Sequence, residues 1–134
     1  MYLLDTNICI YLMKNSFPSM TERVFSHSPS EFYISSITVF ELEYGAAKSK
    51  WDERTRQNLH LFLAPFNILE FDSSDTVSAG MVRAHLEENG TPIGAYDVQL
   101  AGQALSKSLI FITHNVEEFG RVPGLAIADW VKEG

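Results

Sequence analysis

Cysteine is almost missing from this chain, with Cys9 the one example in 134 residues. An internal disulfide is thereby excluded, and a reducing compartment is the default. Long apolar runs are missing too. No window approaches the roughly 20 apolar residues that a spanning helix needs. No basic segment precedes an apolar stretch at the start, where the chain runs straight into Asp5. The expected location is cytoplasmic, with no membrane contact. Positive charge is scarce: 10 Lys and Arg stand against 17 Asp and Glu, a net charge of -7. That excludes a broad basic surface for gripping nucleic acid. It leaves open a carboxylate-held cation that meets phosphate, or a basic protein partner. The HExxH, CxxC, GxGxxG and GxxxxGK[ST] patterns are lacking, so zinc, dinucleotide and P-loop chemistry have little support. The four histidines are scattered. His60 is expected on the apolar side of a helix in a structural role, and only His114 falls near the acids singled out below.

What is present is a globular composition, 46% hydrophobic and 20% charged. Short apolar runs at YLL (2–4), FYIS (32–35), Ile68 to Phe71, LIFIT (109–113) and, more weakly, within GLAIADW read as strands. Helical spacing lies between them. It covers the segment up to about Asn15, Pro18 to about Ser26, a stretch from about Thr38, and Asp52 to Leu63. Asp72 to Asp75 supply caps for a helix running to about Asn89 and stopped by Gly90, and another helix begins near Asp97. The strands are continuously apolar, as in a parallel sheet covered on both faces. One α/β domain over residues 1–134, with four to five strands, is the economical reading.

In such sheets ligands gather beyond the carboxyl ends of the strands. Asp5 falls there, directly after the first strand; it either binds a cation or caps the following helix. Glu41, in ITVFELEYG, sits between Phe40 and Leu42, both expected to be buried, and taken alone could be an ordinary surface acid. Asp97 opens an uncharged helix, AYDVQLAGQA, and could be its cap. A fourth station, THNVEEF, places Thr113, Asn115 and Glu118 at or just past a strand end, with Glu118 the nearest acid able to complete a pocket. Mg2+ takes oxygen ligands, commonly one or two carboxylates plus water and phosphate. Clustered acids raise one another's pKa, and a cation relieves that cost.

These residues carry a family resemblance. LLDTNICIYLMK (3–14), SSITVFELEYGAAKS (35–49), PIGAYDVQLAGQAL (92–105) and FITHNVEEFGRVPGLAIADW (111–130) resemble, in order and spacing, the PIN-domain ribonucleases, specifically the VapC toxins of bacterial toxin–antitoxin pairs. The resemblance implies a three-layer α/β/α sandwich around a mostly parallel sheet, and RNA hydrolysis with Mg2+, for which Mn2+ substitutes. It implies Asp5, Glu41 and Asp97 as the catalytic, metal-holding acids and Thr6 as the hydroxyl that orients the first of them. Asn115 stands where many relatives carry aspartate, and Glu118 is an additional contributor. Ala95 and Gln103 stand where proline and histidine are common. The implied substrate is tRNA, including initiator tRNA cut in its anticodon stem-loop. The implied partners are a second copy of the chain and a VapB-like antitoxin through which alone the complex meets DNA. Three rivals compete: a haloacid-dehalogenase-like phosphohydrolase, which lacks its second aspartate because Asn7 stands there; a broad single-stranded ribonuclease; and a non-catalytic PIN-like binding protein.

Overall fold

The computed structural model describes residues 1–48 and 53–133, so Asp52, the expected start of one helix, lies outside the described residues. The elements alternate: β1 (Tyr2–Leu4), α1 (Thr6–Lys14), α2 (Pro18–Ser26), β2 (Phe32–Ser35), α3 (Ser36–Lys48), α4 (Glu53–Leu63), β3 (Asn67–Leu69), α5 (Ser73–Glu88), α6 (Ala95–Ser106), β4 (Ile110–Ile112), α7 (Val116–Phe119), β5 (Ile127–Ala128) and α8 (Trp130–Glu133). The five strands pair in parallel in the order β3-β2-β1-β4-β5. β1 is central, with Leu4 opposite Ile112 of β4.

Both faces of the sheet are covered, which explains why the strands are apolar without alternation. Leu3 and Phe111 point into a core shared with Ala79, Val82, Leu86, Leu100 and Ala104 of α5 and α6. Their neighbours Leu4 and Ile112 point the other way, into a core with Ile8, Leu12, Val24, Leu59 and Trp130. The period of two along a strand delivers one residue to each layer.

Helix boundaries follow local chemistry. Asp72 and Asp75 form a reciprocal capping box on α5, with bonds of 3.1 and 2.9 Å. That helix stops at Asn89, followed by Gly90 with φ of +66°. α5 and α6 lie against each other because Gly102 has no side chain: a Cβ there would come within 2.4 Å of the Ala79 Cα. Gln103 is fully buried, and its Nε2 donates to the carbonyls of Leu69 and Glu70 and to Asp75 Oδ2. It ties β3 to α5 and α6.

α3 begins at Ser36, two residues before Thr38. The third strand is Asn67–Leu69, earlier than Ile68 to Phe71, because only these residues pair with β2. Phe40 is 53% exposed, not buried. At 100° per residue, the face that buries Thr38 and Leu42 turns Phe40 outward. His60 is exposed next to buried Leu59 and lies 3.9 Å from Glu43, so it is not on the apolar side of α4.

Candidate active site

The chain leaves β1 for β2 on one side and returns through β4 on the other, so the crevice beyond β1 and β4 is the switch point of the sheet. Asp5 follows β1 and Thr113 follows β4, each fixed by a ladder bond, Asp5 N to Ile112 O and Thr113 N to Ala128 O. Thr113 Oγ1 donates to Asp5 Oδ2 at 2.8 Å and accepts from the Asn115 amide at 3.0 Å. Asp5 is 4% exposed and stands at the N-cap position of α1 without a side-chain capping bond. Its burial therefore does not serve the helix. Burial pushes its pKa up to about 6, the Thr113 hydroxyl and the Thr6 amide oppose this, and the charges of Asp97 and Glu41 add to it.

Glu41 comes from the second turn of α3. The Thr6 hydroxyl donates to its Oε1 at 3.0 Å and lies 2.9 Å from the Thr38 hydroxyl. Burial raises the Glu41 carboxyl above the ordinary range, against the pull of Thr6. The expected role of Thr6 thus shifts: its hydroxyl orients Glu41, and Thr113 holds Asp5.

Asp97 is the third residue of α6, whose cap position is Gly94, so it does not cap the helix. Gly94 leaves room for it, since a Cβ there would stand 3.3 Å from Asp97 Oδ2. Burial, then the charge of Glu118, then that of Glu41 raise Asp97 to about 6. Asn115 caps α7 and donates from Nδ2 to Glu118 Oε2 at 2.9 Å.

Four acids from four elements are therefore coupled through their charges, with Thr6, Thr38, Thr113 and Asn115 holding them in place. The coupling of Asp5, Glu41 and Asp97 was legible as an expectation. The parts played by Thr113 and Thr38 were not, although a threonine ending the strand next to β1 was the available signal. Among the described residues, no three His, Cys, Asp or Glu side chains form a ready-made metal cage. An all-oxygen donor set in which burial, and for Asp5 and Asp97 also neighbouring carboxylates, raises the pKa suits Mg2+, which uses one or two carboxylates and keeps water; it does not suit a closed zinc site.

Beside the acids runs a groove of about 810 Å³ between α1, α3 and α4, walled by Ile10, Met13, Leu42, Leu59 and Phe62 and reaching Glu41. Among the described residues, no helix is long and apolar enough to cross a membrane.

Known proteins match this arrangement over nearly the whole chain. The PIN domain family matches residues 2–125. The tRNA(fMet)-specific endonuclease VapC of Salmonella typhimurium is 42% identical over 129 residues, covering 96% of this chain and 97% of the relative. The crystal structure of DNA-bound VapBC from Salmonella typhimurium contains a chain that superposes with a TM-score of 0.90 at 41% identity, over 96% of this chain and 97% of that one. VapBC2 from Rickettsia felis, bound to a DNA fragment from its promoter, gives 0.89 at 34% identity, over 96% and 98%. With the fold, the order of its motifs and its relatives in agreement, the chain belongs to the PIN-domain family, among the VapC ribonuclease toxins.

Proposed function

We propose that this chain is a single PIN-like nuclease domain over residues 1–134 that acts as a Mg2+-dependent endoribonuclease toxin, cutting tRNA and so stopping translation. The observation that carries the reading is the coupling of Asp5, Glu41, Asp97 and Glu118 at the switch point of a parallel sheet, with Asp5 and Asp97 held near 6. Asp5, Asp97 and Glu41 would hold the ion. A divalent cation bound there supplies Lewis-acid stabilisation of phosphate charge and a nucleophilic water at neutral pH. The chain's own residues orient the acids. Thr113 fixes one oxygen of Asp5, Thr6 fixes one of Glu41, and Asn115 steers Glu118 towards Asp97. No histidine or cysteine nucleophile is required.

Initiator tRNA, cut in the anticodon stem-loop, is the proposed substrate; its support is the 42% identical relative named as a tRNA(fMet)-specific endonuclease. The proposed antitoxin is VapB-like, and relatives of this chain occur in VapBC complexes with DNA. An apolar arm of that partner fits the groove that ends at Glu41, where a basic side chain would compete with the cation. DNA contact then belongs to the antitoxin. A homodimer is part of the proposal, supported by Phe40, Tyr44 and Tyr96, which leave a large apolar surface that a second copy would cover.

End-mapping of total RNA treated with the antitoxin-free protein and Mg2+ tests this reading, with Asp5→Asn as the contamination control. One discrete cut in tRNA, absent from the control, is expected. Scattered cuts would replace tRNA specificity with broad single-stranded cleavage, and cuts that persist in the control would remove Asp5 from the centre.

A further inference from the structure

We propose that the buried hydroxyl of Thr38 sets the affinity of the site for its divalent cation from a distance, by donating to Thr6 and so locking the Thr6 side chain in the one orientation that holds Glu41 beside Asp5. Thr38 is then a positioning residue that acts through Thr6. The inference rests on the metal-holding role proposed above for the acids and deepens it.

Thr38 is fully buried and precedes Glu41 by three residues on α3, so the two side chains share a face of the helix. Its hydroxyl oxygen lies 2.9 Å from that of Thr6, its one hydrogen-bond partner among the described residues. The distance alone leaves the direction of that bond open, and proton counting settles it. A threonine hydroxyl carries one proton, and the proton of Thr6 goes to Glu41 Oε1 at 3.0 Å. Towards Thr38, then, Thr6 can only accept. The chain of hydroxyls runs from Thr38 to Thr6 to Glu41. The Thr6 amide meanwhile favours the charged form of Asp5. Thr6 therefore serves two acids with two different groups, and the orientation of its side chain bears on how they face each other.

The donor itself stands on a fixed base. α3 follows β2 without a loop, and its first turn is pinned twice: Ser35 Oγ accepts the Ile37 amide and Ser36 Oγ accepts the Phe71 amide, each at 3.1 Å. Packing alone would be served as well by valine, which has the same branched shape and no polar atom to bury. The hydroxyl matters because the charges of Asp5 and Glu41 oppose each other. Held by a single bond to Glu41, the Thr6 side chain could follow a receding carboxylate into another staggered rotamer. A second bond to the same oxygen, from a buried and immobile donor, keeps it in place and polarises its own proton towards Glu41. The acids are thus arranged before an ion arrives, and less ordering is left to oppose binding.

The test is Mn2+ binding to the RNA-free protein by titration calorimetry, comparing the native chain with T38V, T38S, T6V and T6V/T38V. T38V should weaken binding about two- to tenfold, the worth of one neutral hydrogen bond. T38S keeps the hydroxyl and should return the affinity to within about twofold of native. On the T6V background T38V should have no further effect, because Thr38 acts through Thr6. In cleavage, T38V should raise the Mg2+ concentration needed for half-maximal rate by the factor seen in calorimetry, and excess Mg2+ should restore the rate. Native-like affinity in T38V, equal losses in T38V and T38S, or an undiminished T38V loss on the T6V background overturns the proposal. T38A takes the place of T38V, under the same criteria, if the valine variant does not fold. If the native protein binds Mn2+ and T38V binds it equally well, this inference alone falls. If the native protein binds no divalent ion, the metal-dependent reading falls and this inference with it.

Discussion

Asp5→Asn should make the metal-free protein more stable while abolishing its activity. Asp5 is 4% exposed, and its pKa is raised from 3.8 to about 6, chiefly by burial. A carboxyl whose folded pKa is raised contributes stability that is fully present below its unfolded value and is lost as pH rises through its folded one. The metal-free fold should therefore weaken between about pH 4 and 6 through this group and stay level above that. A shift of about two units at 1.36 kcal/mol per unit makes the ionised group cost about 3 kcal/mol at pH 7.5. Asparagine is neutral and nearly isosteric, and its oxygen still accepts from Thr113, but its amide protons need new partners. The net gain should be about 2 kcal/mol, or roughly 7 °C in Tm for a chain of this size. Thermal unfolding at pH 7.5 in EDTA should rank D5N above the native protein. Millimolar Mg2+ should raise the native protein and leave D5N where it was, because only the native site binds the ion. A D5N protein that melts below the native one in EDTA would show Asp5 to be a structural anchor and would refute the strained-site reasoning.

Thr113→Val removes the donor that pulls Asp5 down, so the acid limb of the pH–rate profile should move upward and the Mg2+ requirement should rise, measured by cleavage at a series of pH values. Gly102→Ala sets a Cβ 2.4 Å from the Ala79 Cα and should cost about 1–3 kcal/mol by urea denaturation, with the acids unaffected. Gly45→Leu puts side-chain bulk into the groove at a position where a Cβ meets nothing within 4 Å. It should fold normally and keep RNA cleavage, yet bind the antitoxin at least tenfold more weakly in titration calorimetry.

Much of the architecture was legible because local chemistry and tertiary packing agree. The strands YLL, FYIS and LIFIT carry apolar residues on both faces, which only a doubly covered sheet accommodates, and the observed β1, β2 and β4 fall within them. Asp72 and Gly90 mark the ends of α5 by their own cap chemistry. The short helices α7 and α8 carry too few turns to leave a periodic signal. His60 and Phe40 were misplaced because a helical phase read from one chain does not say which of two adjacent faces meets the core.

The sequence by itself determined the alternation of strands and helices, which depends on residues a few positions apart, and it put Asp5, Glu41 and Asp97 forward as candidates through their family resemblance. Only the tertiary structure decided their company. Asp5 and Thr113 are 108 residues apart in the chain, yet 2.8 Å apart in space. The pairings of Thr6 with Glu41 and of His114 with Asp129 likewise exist only once the parallel sheet has closed and aligned its carboxyl edge. Hydrogen bonds and charge coupling act over a few ångströms, so their partners are set by strand order, which no local pattern of residues encodes.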